Sequence, residues 1–261
     1  MNNQHLNDKK TRLSVDYFEK MHIIKNRKED EVAIMLIQFN FKNFRSFREE
    51  ATLDLSATKM TEFSERVVTI GSEKILPIAA IYGANASGKS NIYSAFEYMA
   101  EYVVDSFKYG DEEEKFEEYR PTPFLFDSTS ADAESSFEVY FTIPGDKNEK
   151  TYNYGFCVDQ EGVTEEWLNS KAKTARKYST VFYRGNSDSE LDLSGLPKNS
   201  RDNIKIALEK QVLIASLGAK LKISKCKAII DCQEALWMIR TFSRRLWNTL
   251  HLLMNTLRIS E

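Results

Sequence analysis

Eight consecutive residues, Gly83-Ala84-Asn85-Ala86-Ser87-Gly88-Lys89-Ser90, are spaced as G-x-x-x-x-G-K-[ST], the pattern of a phosphate-binding loop. The glycines let the backbone wrap inward so that successive N–H groups face phosphate oxygens. A helix starting at Lys89 would add unpaired N-terminal donors and the positive end of its dipole. In such a loop Lys89 reaches the β- and γ-phosphates and the Ser90 hydroxyl ligates Mg²⁺. The pattern therefore predicts nucleotide binding.

The motif needs a buried strand before it and a helix after it. Residues 75–82, ILPIAAIY, are an almost unbroken apolar run of the length expected for a strand buried on both faces of a parallel or mixed sheet. After Lys89, the residues Ile92, Ala95, Phe96, Met99 and Val103 recur at spacings of 3 and 4, which predicts an amphipathic helix. Upstream, residues 36–43 read as a strand and residues 51–56 as a second one. In the second, Ala51, Leu53 and Leu55 alternate with polar residues, so a hairpin with one buried face is expected. Downstream, residues 137–143, 151–158 and 179–183 read as strands, the first two joined by the turn signal Pro144-Gly145-Asp146. Residues 201–210 and the region from Ala228 onward read as helical. Residues 110–118 hold six acids and read as a solvated loop.

Composition narrows the function classes. Apolar residues make up 42% of the 261 and charged residues 29%, which excludes wholesale disorder and collagen-like or coiled-coil architecture. The net charge of −3 favours no polyanionic partner, but it is unevenly spread: the last 42 residues carry +5 and the first 219 about −8. Cys157, Cys226 and Cys232 lack CxxC spacing, which argues against a disulfide framework or structural zinc. No apolar stretch of membrane-spanning length occurs, so a cytoplasmic location without a membrane span is expected. Residues 1–34 are a charged extension with seven basic and six acidic side chains. They read either as a charged N-terminal helix or as a start placed too early, with Met35 the true first residue.

The loop variant G-x-N-x-S-G-K-S, preceded by Phe41-Lys42-Asn43-Phe44-Arg45-Ser46-Phe47, resembles the ATP-binding-cassette-like heads of the RecF and SMC group. More narrowly, it resembles bacterial AAA-type ATPases of the abortive-infection and phage-defence class. The likeness covers residues 35–230 and implies an α/β fold: a P-loop NTPase head, N-terminal lobe, with a mixed sheet and a strand-rich insertion. It implies ATP and Mg²⁺ as ligands, with contacts from Gly83, Asn85, Ala86, Ser87, Gly88, Lys89, Ser90 and Asn91 and the metal on Ser90. It further implies that the NFRSF element packs beside the nucleotide, that heads pair as a homodimer around two nucleotides, and that hydrolysis is coupled to a nuclease or other effector. Arg45 reads either as a residue near the phosphates or as a surface arginine at a strand end.

The departures from that pattern are as informative. Hydrolysis needs an acidic pair after an apolar strand, and no catalytic glutamate is found. Lys227-Ala228-Ile229-Ile230-Asp231 imitates such a strand, but Cys232 stands where the glutamate belongs and Glu234 lies too far along. Leu193-Ser194-Gly195 imitates the family's signature but reads as a loop. From residue 231 the resemblance stops, and Ile239, Phe242, Leu246, Leu250, Leu253 and Leu257 can be drawn as one stripe of a basic amphipathic helix. Such a helix would dock on the domain or lie on a membrane or acidic partner. A frameshift or truncation after the N-terminal lobe is a further reading. Three functions compete: an ATPase controlling an effector in phage defence or DNA processing, a non-hydrolysing nucleotide-binding regulatory module or truncated product, and a small-molecule kinase. Nucleic-acid binding finds only the basic tail in its favour.

Overall fold

The computed structural model describes residues 35–57, 64–109, 113–143 and 150–231. The readings of residues 1–34, of the turn at 144–146 and of the stretch from Cys232 onward lie outside the described residues.

Six strands form one sheet in the order β2-β1-β5-β6-β7-β8. They are β1 (Met35–Lys42), β2 (Ala51–Asp54), β5 (Ser135–Thr142), β6 (Thr151–Val158), β7 (Val163–Lys171) and β8 (Ser179–Arg184). Two short strands, β3 (Val68–Ile70) and β4 (Glu73–Ile75), pair separately. Every described pairing is antiparallel. The expected hairpin is present and the later strands pair as a meander, but no parallel pairing of the expected mixed sheet occurs among the described residues. The expected insertion is likewise no separate body: its strands continue the N-terminal hairpin, because β1 pairs with β5 from Met35↔Thr142 to Lys42↔Ser136.

The period-two pattern decides which face is buried. Phe39 and Phe41 of β1, Phe137, Val139 and Phe141 of β5, and Tyr154 and Phe156 of β6 share one face and are almost wholly buried. Helix α1 (Lys89–Asp105) lies on that face. Its Phe96 meets Phe39 edge-on at 5.0 Å, Tyr98 lies 5.0 Å from Phe137, and Tyr102 stacks on Phe156 at 5.2 Å. The two tyrosine hydroxyls keep partners, Tyr98 donating to the Tyr119 carbonyl and Tyr102 to that of Gln211. Each such ring contributes roughly 1.5–3 kcal/mol through burial, and aromatic pairing adds about 0.5–1.5 kcal/mol. The opposite face carries a polar ladder: Asn40 and Asn153 both donate to the Glu138 carboxylate, and Asn169 donates to Asn153.

Three short helices and one longer one complete the described chain: α2 (Glu113–Glu118), α3 (Ser128–Ala131), α4 (Lys198–Ala207) and α5 (Ile214–Lys220), followed by a helical run at 224–231. The acidic stretch expected to be a solvated loop is helical from Glu113, because Phe116 gives it an apolar anchor that is buried beside Tyr102 and Tyr109.

Candidate phosphate-binding site

Helix α1 begins where the spacing predicts, at Lys89, and buries Ala95, Met99 and Val103 against the sheet. The loop before it bends through left-handed backbone at Ala86 (φ 64°) and Gly88 (φ 87°). For Gly88 the conformation suits the missing side chain; a Cβ there would also stand 3.1 Å from the Phe47 ring. For Ala86 it costs about 1–2 kcal/mol, strain of the kind found where a loop is shaped for a ligand. Among the described backbone bonds Ser87 N–H reaches the Ala84 carbonyl, while none engages the N–H of Asn85, Ala86, Gly88, Lys89 or Ser90. Unpaired donors in an αL-kinked loop at a helix N-terminus form a concavity suited to an anion. The Lys89 ammonium folds back over it, donating to the carbonyls of Gly83 (2.8 Å) and Ala84 (2.5 Å). These residues suit a phosphate chain, and the exposed Ser90 is placed one residue into the helix.

The turn after β1 supports this loop. Phe44 and Phe47 exchange backbone hydrogen bonds of 2.8 and 2.9 Å, with Asn43 and Arg45 both at φ 52°. Asn91 donates to Ser46 Oγ at 2.8 Å, and the Phe47 ring stands beside Gly88. The NFRSF element thus packs against the phosphate loop, as the resemblance implies. Asn43 suits the left-handed position and locks it: its amide donates to the carbonyls of Ser130 and Ala133 and accepts from Phe124 N–H. Arg45 donates to Ser94 Oγ at 2.8 Å and lies 5.4 Å over the Phe44 ring, so it is bound to the side of α1.

Residues 75–82 depart from expectation. Ile75 is fully buried in β4 and the Leu76 N–H reaches the Leu55 carbonyl at 2.8 Å. Beyond that point no described backbone hydrogen bond involves residues 77–82, and Ile78, Ile81 and Tyr82 are 81, 44 and 90% exposed. The run is not a paired strand among the described residues. A strand buried on both faces needs neighbours on both edges and layers above and below, and among the described residues no strand pairs with residues 77–82.

The two imitations resolve as local structure. Lys227 to Asp231 lies in the helical run 224–231, with Ile229 buried and Asp231 exposed. Leu193-Ser194-Gly195 is a loop against β8, where Gly195 N–H donates to the Val181 carbonyl and a Cβ on Gly195 would meet that oxygen at 2.5 Å. Arg184 is engaged with the carbonyls of Val212 and Glu209. None of the described hydrogen bonds or ion pairs of residues 83–91 reaches a carboxylate.

The sequence reading missed Glu166. Its register in β7 places it with Leu168 on the α1 face, and it is wholly buried. The carboxylate accepts from the N–H groups of Ile214 (2.6 Å) and Ala215 (3.0 Å) and from the Tyr154 hydroxyl (3.1 Å), so it caps α5. Burial pushes its pKa up to about 7 against the opposing pull of these donors. No sequence pattern marks it, because Thr164, Glu166 and Leu168 share the buried face and two of the three are polar.

No curated protein matches the chain. A family model does, over residues 78–205, described as "AAA domain, putative AbiEii toxin, Type IV TA system". The matched stretch runs from the exposed segment before the phosphate loop through α1, β5 to β8 and most of α4. Residues 78–205 are thus similar to an AAA/ABC-like P-loop ATPase family that is linked to abortive infection and toxin–antitoxin systems.

Proposed function

We propose that the chain binds ATP with Mg²⁺ at Gly83, Asn85, Ala86, Ser87, Gly88, Lys89, Ser90 and Asn91, and that it acts as an AAA/ABC-like ATPase. In this reading nucleotide-driven pairing of two heads controls an effector in phage defence or DNA processing. The observation that carries the proposal is that none of the described backbone bonds engages the N–H groups of Asn85, Ala86, Gly88, Lys89 and Ser90, bent around left-handed Ala86 and Gly88 at the N-terminus of α1. Those donors would hold the phosphate oxygens. Lys89 would exchange its two loop carbonyls for the β- and γ-phosphates, and Ser90 Oγ would supply one Mg²⁺ ligand. The metal, when bound, neutralises charge that develops on the phosphates. Titration calorimetry with ATP and Mg²⁺ tests the binding step: the wild type binds, and Lys89→Ala loses most of the affinity while keeping its circular dichroism spectrum. No heat of binding from the folded wild type would overturn the proposal.

A specific observation favours a second reading, a nucleotide-binding module that does not hydrolyse. Hydrolysis needs a carboxylate to orient the attacking water, and the described bonds of residues 83–91 bring none to the loop. Phosphate release assays separate the two: turnover abolished by Lys89→Ala supports the ATPase, and tight binding without turnover supports the module.

A further inference from the structure

The apolar run before the phosphate loop is held at both ends and bare between them. At its start Ala57 N–H donates to the Lys74 carbonyl and Leu76 N–H to the Leu55 carbonyl, both at 2.8 Å, so the chain leaves β4 from a fixed place. At its end the loop passes into α1 at Lys89. In between, residues 77–82 are all exposed, Ile78 and Tyr82 by 81 and 90%, and no described backbone hydrogen bond engages them. None of them has a positive φ, so the extended backbone of a strand is open to them.

Isoleucine and tyrosine favour strands, and an apolar strand with free amides is a template for pairing with another chain. Two features say which chain. No acidic or basic residue lies between Lys74 and Lys89, so two copies meet along the run without like-charge repulsion. The order of side chains is also self-complementary. Pro77 has no N–H and sets the start of pairing at Ile78. Antiparallel pairing about Ala80 then puts Ile78 opposite Tyr82 twice, β-branched against aromatic, with Ala79 opposite Ile81 and the small Ala80 facing itself on the axis.

We propose that residues 78–82 join two copies of this chain as an antiparallel strand pair, with the two-fold axis at Ala80. The pair needs no nucleotide, and so is separate from the pairing of heads around nucleotides. Residues 78–82 alone fall short of the roughly 20–30 residues a side of a standard interface, so the dimer is weak and forms at high protein concentration. In the single chain the run stays bare, and at dilutions that separate the copies replacement of Tyr82 leaves unfolding unchanged.

Sedimentation equilibrium without nucleotide, from micromolar to near-millimolar protein, reads the pairing. The average mass rises from one chain toward two and levels there. Tyr82→Lys shifts the midpoint about ten-fold or more to higher concentration. A chain with Ile78→Lys and Tyr82→Lys stays single, as does one with Ile78→Glu and Tyr82→Glu, and their mixture pairs because opposite charges now face each other. Ile78 and Tyr82 are exposed, so these replacements do not disturb the core. Oxidation in a Cys232→Ser background reads the register, Cys157 and Cys226 being buried. Ala80→Cys cross-links to its own copy, since directly opposed residues lie about 4.5–5.5 Å apart, within a disulfide's reach. Ala79→Cys, about 7–8 Å from its copy, does not. A single-chain mass at the highest concentration overturns the proposal, as does growth beyond two chains, a dimer indifferent to Tyr82→Lys, or cross-linking of Ala79→Cys in place of Ala80→Cys.

Discussion

Helix α1 has two very different approaches. On its sheet side Phe96, Tyr98 and Tyr102 lock onto three successive strands. On the chain leading into it, seven residues of equally apolar character run from Leu76 to Tyr82 with hardly a backbone bond between them. Both stretches are hydrophobic, yet only the first is paid for its composition by burial. The difference is pairing. A β-rich apolar segment gains little until a neighbouring strand satisfies its amides and a layer covers its faces.

The sharpest way to break this contrast is truncation on both sides. Phe156→Ala, under Tyr102, should cost about 3–5 kcal/mol in urea unfolding, whereas Tyr82→Ala should stay within about 0.5 kcal/mol. Comparable losses at both positions would mean that residues 76–82 are covered in solution. The glycines give a second, smaller contrast. A Cβ on Gly155 would run into the Trp167 ring and stand 2.8 Å from the Phe137 carbonyl oxygen, and a Cβ on Gly83 meets chiefly the mobile end of Ser87, with Ser87 Oγ at 2.9 Å. Gly155→Ala should therefore destabilise by about 1–3 kcal/mol, and Gly83→Ala should leave the thermal midpoint near its wild-type value.

Glu166 sharpens the description of the packed side. Its folded pKa, about 7, stands above the ordinary carboxyl value of 4.5, so the native state holds the proton more tightly than the unfolded chain. Its contribution is then full below pH 4.5, declines as pH rises through 7, and is lost above that. The swing is at most roughly 3 kcal/mol. Glu166→Gln should flatten the pH dependence of unfolding in that window; an unchanged slope would place the titration elsewhere. The smallest expected effect is at the turn beside the loop. Ser46→Ala removes one exposed hydrogen bond to Asn91, and should lower stability by less than about 1 kcal/mol while loosening the start of α1, seen as faster amide exchange at Asn91 and Ile92, whose N–H groups reach the Gly88 carbonyl.

Much of this was legible in the residues. The start of α1 and its buried positions follow from the G-K-S sequence and the spacing of Ala95, Met99 and Val103. The meander follows from alternation in residues 137–143 and 151–158, and the loop character of Leu193-Ser194-Gly195 from its turn-rich setting. The helicity of 113–118 was not legible, because the six acids of residues 110–118 hide the single anchoring Phe116. Glu166 was passed over since a charged residue in a strand is ordinarily turned to water; only the arrival of α5, some 48 positions later, supplies the N–H groups that hold it.

The sequence by itself determined which groups the loop can offer, since glycine, lysine and serine at fixed spacing bring backbone freedom, charge and a hydroxyl wherever the chain places them. It also determined which side of each strand is apolar. Tertiary structure decided what that apolarity meets. It joined the N-terminal hairpin to the later meander in a single antiparallel sheet, set the Asn43 to Phe47 turn against Gly88, and left residues 77–82 uncovered. A local pattern specifies what a segment is able to bury; whether it is buried depends on partners that come from elsewhere in the chain.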